Sequence, residues 1–198
     1  MTTLTIAKST VIEDKNLILP GYYDWQQFKA IQSLIETQPG VKISYLDGVI
    51  ALMTLGETHE TIKTLIGFLI ESYLFHQEID FIGVGSATRE SEEKSASFEP
   101  DESYYIGEKK EHPDLAIEVN ITSGNVKKLE KYRRFKIKEV WLWQNNQFEI
   151  YHLNNDEYAQ INTSKLLPNL DIKLLERCVL IPSRLEAIKT FTSGINHQ

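Results

Sequence analysis

His112-Pro113-Asp114-Leu115-Ala116-Ile117-Glu118-Val119 is the stretch whose reading decides the fold. Leu115 to Val119 has the length and apolar content of a central β-strand, with a proline just before it. Side chains alternate in a strand, so Asp114 and Glu118 share one face with the small Ala116 between them, and Leu115, Ile117 and Val119 share the other. A glutamate inside so apolar a run bears a large desolvation cost unless a cation, a proton or hydrogen-bond donors compensate it. Glu118 is therefore the most informative residue of the chain.

Working outward, Gly124 to Phe135 reads as a short helix and Val140 to Trp143 as a second apolar strand. A helix joining two apolar strands implies a right-handed crossover and a locally parallel pair. Asn145-Asn146 and Asn154-Asn155-Asp156 are turn signals on either side of Phe148 to Leu153, so a meander extends the sheet. Upstream, Tyr104 to Ile106 and Phe81 to Val84 read as strands, while Arg89 to Ser97 is charged and aperiodic, the pattern of a mobile loop. Thr58 to Phe75 carries Ile62, Leu65, Ile66, Leu69, Ile70 and Tyr73 on one helical face, with Thr58 as its cap. Val41 to Tyr45, Asp47-Gly48 and Val49 to Met53 form a hairpin signal. Asp24 caps a helix with Trp25, Phe28, Ile31 and Ile35 at helical spacing, ended by Gly40. Residues 1–23 lack periodicity, Pro182 opens a last helix, and Ser193 to Gln198 reads as a fraying end. The class is α/β.

The chain has 198 residues, 41% hydrophobic and 25% charged, the make-up of an ordinary soluble domain. Its apolar runs fall far short of the roughly 20 residues that cross a bilayer, and its amino terminus lacks the pattern of a secretory signal, so a cytoplasmic location is expected. Cys178 is the single cysteine, which excludes an intrachain disulfide and a cysteine zinc cage and suits a buried small hydrophobe. The net charge of −7 argues against bulk electrostatic grip on nucleic acid, so any phosphate-binding patch must be local.

Glu99-Pro100-Asp101-Glu102 places acids at the mouth of a strand, and Asp101 offers a second carboxylate beside Glu118. Two hard oxygen ligands, completed by water and substrate phosphate, are how Mg²⁺ is usually held, and such a metal activates water. Lys127, Lys128 and Lys131 lie on the following helix, where one inward-facing lysine would neutralise charge on an attacked phosphate. Bland readings stand beside these. Asp101 suits a Pro-Asp turn, Glu118 an ion pair with Arg133, and Lys128 and Lys131 a solvated helix face with Glu130. His59 and Glu60 suit an exposed helix start, Asp47 a hairpin turn, and Asp114 the cap of its strand. The remaining histidines show no zinc spacing, and no serine-histidine pair or glycine-rich phosphate loop is evident.

Taken in order, Tyr45-Leu46-Asp47-Gly48, Met53, His59-Glu60, Pro100-Asp101, Pro113 to Val119, Lys128-Leu129-Glu130-Lys131-Tyr132 and Glu139-Val140-Trp141 resemble the PD-(D/E)XK phosphodiesterase superfamily. Within it they resemble the bacterial Uma family of restriction-endonuclease-like proteins. The likeness implies a restriction-endonuclease-like core with a mixed central β-sheet flanked by helices, as one domain over 1–198. The core spans about 41–153, with an N-terminal helix at about 24–38 and a C-terminal extension at about 154–198. It matches Asp101 to the aspartate of the first motif and Glu118 to the acid of the second. The position two after Glu118 should be lysine and is Asn120; in the Uma family the lysine precedes a tyrosine by four on the next helix, as Lys128 precedes Tyr132. The resemblance thus implies a metal-dependent endonuclease, a hydrolase of DNA phosphodiesters using Mg²⁺ or Mn²⁺, with Asp101, Glu118 and Lys128 catalytic and Asp101 and Glu118 holding metal. Asp114, Asn120, His59, Glu60, Lys131 and Tyr132 are accessory candidates, and a homodimer is implied. The alternative is a catalytically silent module that binds a protein or nucleic-acid partner.

Overall fold

The computed structural model describes residues 15–120 and 129–195. The described chain begins with an edge strand, β1 (Lys15–Ile18), where no element is expected from the sequence, and continues into helix α1 (Trp25–Ile35). Asp24 caps α1 as expected: its side chain accepts the Gln27 N–H, and the Gln27 side chain accepts the Asp24 N–H in return. Strands β2 (Val41–Leu46) and β3 (Val49–Thr54) form the expected hairpin. Asp47 and Gly48 both have positive φ, +47° and +84°, the mirror-image turn that matches strand twist. Helix α2 (Glu57–His76) opens at Gly56, without a side-chain cap, rather than at Thr58.

After β4 (Phe81–Gly83), the expected loop from Arg89 to Ser97 is instead a hairpin of β5 (Arg89–Ser91) and β6 (Ala96–Phe98). Each strand is only three residues long, too short for alternation to be legible. What stabilises the hairpin is non-local: β6 pairs with β2, Tyr45 opposite Ser97, and Ala96 and Phe98 are buried. There follow β7 (Glu102–Ile106), β8 (Leu115–Val119), α3 (Leu129–Arg134), β9 (Glu139–Gln144), β10 (Gln147–Asn154) and β11 (Glu157–Ile161). Helix α4 (Ile172–Val179), capped by Asp171, had no counterpart in the sequence reading; α5 (Arg184–Ile195) begins two residues after Pro182 and ends on a buried Ile195. The helix expected over Gly124 to Phe135 is described only from Leu129.

The strands form two sheets. The six-stranded sheet, β11-β10-β9-β8-β7-β4, is mixed: β8 and β9 run parallel as expected, and the other described pairs are antiparallel. The five-stranded sheet, β1-β3-β2-β6-β5, is antiparallel and adds a second layer to the mixed sheet foreseen from the sequence.

Alternation along β8 sorts the core. Leu115, Ile117 and Val119 pack with Trp141, Trp143 and Tyr104 beneath α2, α4 and α5, where Cys178 is also buried. On the other face, Ala116, Val140 and Leu142 meet Phe98, Leu129, Tyr132 and Phe135, which belong to β6 and the α3 region. Phe28, Ile43, Tyr45 and Ile50 fill a third cluster under α1, with the Phe28 and Tyr45 rings stacked 4.8 Å apart. Ile43 and Tyr45 thus point to α1, which leaves Lys42 on the opposite face of β2.

Candidate active site

Asp101 stands just before β7, and its N–H donates to the Ile117 carbonyl at 3.0 Å, which seats it beside β8. Its side chain is fully buried, and both oxygens have partners. Oδ2 accepts the Val119 N–H at 2.7 Å; Oδ1 lies 2.6 Å from Lys42 Nζ and 3.0 Å from His59 Nε2. Burial pushes the Asp101 carboxyl up, but His59 and Lys42 outweigh it and hold the group well below the usual carboxylate range. Asp101 is therefore an anion in a dry place, not the exposed turn residue of the bland reading.

Lys42 reaches this point from the other sheet. Its ammonium also donates to the Pro100 carbonyl at 3.1 Å. Burial pushes the lysine down, yet Asp101 and then Glu118 outweigh that and raise it above its ordinary value, with a further contribution from Glu99. One buried ammonium thus answers to both carboxylates.

Glu118 is 4% exposed. The Tyr132 hydroxyl donates to its Oε1, and Lys131 Nζ lies 3.9 Å from the same oxygen. Burial, and then the negative charge of Glu118, push the Tyr132 phenol well above its ordinary range, so the tyrosine stays a donor. Lys131 is steadied over the Phe98 and Tyr132 rings, 5.2 and 5.4 Å from their centroids. Arg133, the expected structural partner of Glu118, pairs with Glu130 at 2.7 Å instead.

The structure therefore gathers Asp101, Glu118, His59, Lys131 and Tyr132. His59 is fully buried against Asp101, where the bland reading had it exposed. Glu60 pairs with Lys63 at the helix surface. Asp114 shares the face of Glu118, but at the opposite end of β8, where it accepts the Ile106 N–H and pairs with Lys110 and Lys138. Asn120 is buried and continues the ladder, its N–H donating to the Trp143 carbonyl at 2.8 Å. Lys128 lies outside the described residues. Lys42 was missed: alternation against Ile43 and Tyr45 shows which way it points, but nothing local shows that a second sheet brings Asp101 to meet it.

Two of these residues have the donor chemistry that a divalent cation takes. Asp101 and Glu118 are hard oxygen donors on one sheet face, the number of protein carboxylates that Mg²⁺ commonly uses. A carboxylate oxygen takes more than one partner, although the Lys42 ammonium already lies on Asp101 Oδ1. Among the described residues no group of three or more His, Cys, Asp or Glu is arranged to hold a metal.

Residues 25–180, from the start of α1 to just past α4, match the Uma2 family, whose description reads "Putative restriction endonuclease". The chain belongs to that family, and its α/β, restriction-endonuclease-like core is the fold expected of it. No curated protein matches the chain. Among the described residues no helix is long and apolar enough to cross a membrane.

Proposed function

We propose that this Uma2 protein is an endonuclease that hydrolyses DNA phosphodiester bonds, with Asp101 and Glu118 as ligands for one Mg²⁺ or Mn²⁺. The observation that carries the reading is the convergence of two buried carboxylates with the Lys42 and Lys131 ammonium groups. A structural ion pair needs one partner of each sign, whereas a site that handles a phosphodiester needs acids for a cation and cations for the phosphate.

Bound at Asp101 and Glu118, the metal supplies an activated water and screens the phosphate charge. The remaining work falls to the protein. His59 and Lys42 hold the Asp101 carboxylate ionised, and the Val119 N–H aims it. Tyr132 fixes Glu118 through Oε1 and leaves Oε2 for the ligand role. Lys131 lies on the Glu118 side, and Lys42 on the Asp101 side, each placed to meet negative charge that develops on an attacked phosphate. Lys128, the lysine that the family pattern favours, is the third candidate for this role. Cleavage of both strands calls for two sites, which makes a homodimer the assembly of choice, checked by sedimentation. A lone cysteine, Cys178, buried in the core, suits a cytoplasmic setting.

The test is cleavage of plasmid and linear DNA with Mg²⁺ or Mn²⁺. Activity is expected with metal and lost in Asp101→Ala, and Ca²⁺ should bind without supporting cutting. Cutting that survives both chelation and Asp101→Ala would refute the proposal. One observation favours the second reading, a catalytically silent module: the Lys42 ammonium already neutralises Asp101 without any metal. Calorimetric titration with Mn²⁺ separates the two, because a silent module would take up none.

A further inference from the structure

Arg89 and Lys94 of the β5–β6 hairpin and His112 ahead of β8 come from two segments, and each lies against one of two aromatic rings. Lys94 Nζ stands 5.8 Å from the Phe135 ring centroid, and the His112 ring lies 5.0 Å from that of Phe135 on centroids. The Arg89 guanidinium stands 6.0 Å from the Tyr105 ring centroid. The Lys94 backbone is pinned on both sides: its N–H donates to Ser91 Oγ at 3.2 Å, and its carbonyl accepts from Arg134 at 2.7 Å.

Acids outnumber bases in this chain, 28 to 21, yet neither Arg89 nor Lys94 has an acidic partner among the described residues. The acid that faces the group is Glu111, 3.5 Å from His112 Nε2 and almost wholly in solvent. Among the described residues, Arg89 Nε and His112 Nδ1 are buried and have no hydrogen-bond partner. A buried guanidinium donor without an acceptor destabilises a fold unless an anion joins it. Burial lowers the His112 pKa, Glu111 raises it, and Arg89 and Lys94 lower it again, to a net value below the ordinary one.

Edge-to-face ring contacts run from the cluster toward the carboxylate site: Phe135 is 5.2 Å from Phe98, and Phe98 is 4.6 Å from Tyr132, which holds Glu118.

We propose that Arg89, Lys94 and His112 form an anion subsite that takes a backbone phosphate of the nucleic-acid strand presented to Asp101 and Glu118. This rests on the nuclease reading of that site. It also supplies the local basic patch that a chain of net charge −7 needs if it is to hold DNA at all.

The test is fluorescence anisotropy of a labelled DNA duplex with the full chain in EDTA, between 50 and 200 mM NaCl. Arg89→Gln/Lys94→Gln is expected to weaken binding about tenfold and to reduce the slope of log Kd against log salt by about one to two. Mn²⁺ uptake at the carboxylates should be unchanged. Lys94→Gln alone, at a half-buried turn position, repeats the test at about one unit of slope should the double variant misfold. Wild-type protein that binds no DNA overturns the nuclease reading and the subsite with it. Wild-type binding with an unaltered slope in both variants overturns the subsite alone. Calorimetry with inorganic phosphate supplies the last arm: phosphate binding lost in the variants while DNA binding is kept would assign the subsite to a free anion and overturn the proposal.

Discussion

At the scale of single residues, the site is a problem in compensating buried charge. Asp101 and Lys42 form a buried pair, and breaking such a pair by removing one partner strands the other. Asp101→Asn is therefore expected to cost about 3–5 kcal/mol in urea unfolding, and Asp101→Asn/Lys42→Met to recover most of that loss. A double variant no more stable than Asp101→Asn would show that the carboxylate is held by His59 and Val119 rather than by the lysine. Glu118 depends on Tyr132 in a parallel way. Tyr132→Phe removes the hydroxyl that satisfies Oε1, with an expected cost of about 1–3 kcal/mol, whereas Glu118→Gln keeps an acceptor for Tyr132 and should leave stability near wild type while abolishing Mn²⁺ binding. Retained Mn²⁺ binding in Glu118→Gln would remove Glu118 from the ligand set. Glu118 was legible from sequence because the desolvation cost of an acid in an apolar run is a local signal. His59 entered only through the family resemblance and Lys42 not at all, since their partner lies 42 and 59 residues away in the chain and no local pattern encodes that meeting.

Elements place those residues, and register is what places Lys42. Leu46 pairs with Val49 across the Asp47-Gly48 turn, and a slip of one residue would turn Lys42 toward α1 and Ile43 toward Asp101. Gly48 is the residue that the turn cannot exchange. Its φ is +84°, and a Cβ there would stand 2.9 Å from the Tyr22 ring. Gly48→Ala is therefore expected to destabilise by more than about 1 kcal/mol, read as a lower urea midpoint with an unchanged m-value. If stability stayed at the wild-type value, the turn would have to relax with little strain. The hairpin and the β8 to β9 crossover were legible because dipeptide turns and apolar runs are local signals. The β5–β6 hairpin and β1 were not: three- and four-residue strands are fixed by their neighbours in the sheet, and β1 is exposed along its whole length. Helix α4 went unread although Asp171 caps it, because its eight residues show little more than two turns of periodicity.

Across the whole molecule, the Lys42 to Asp101 contact joins the two sheets, since Lys42 belongs to β2 and Asp101 leads into β7. The fold's response to pH should carry its signature. The Asp101 carboxyl is depressed in the folded protein, so its contribution is fully present above the unfolded carboxylate value of about 3.9 and is lost as pH falls through the lower folded value. The Lys42 ammonium is raised, so its contribution is fully present below the unfolded lysine value of about 10.4 and is lost as pH rises through the higher folded value. Between these limits neither group changes charge. The stability difference between wild type and Asp101→Asn/Lys42→Met, measured by urea unfolding, is thus expected to stay constant from about pH 5 to about pH 9 and to change only beyond those values. A difference that moved between pH 6 and 8 would show that the junction is governed by a group other than Asp101 and Lys42, since neither changes charge in that window.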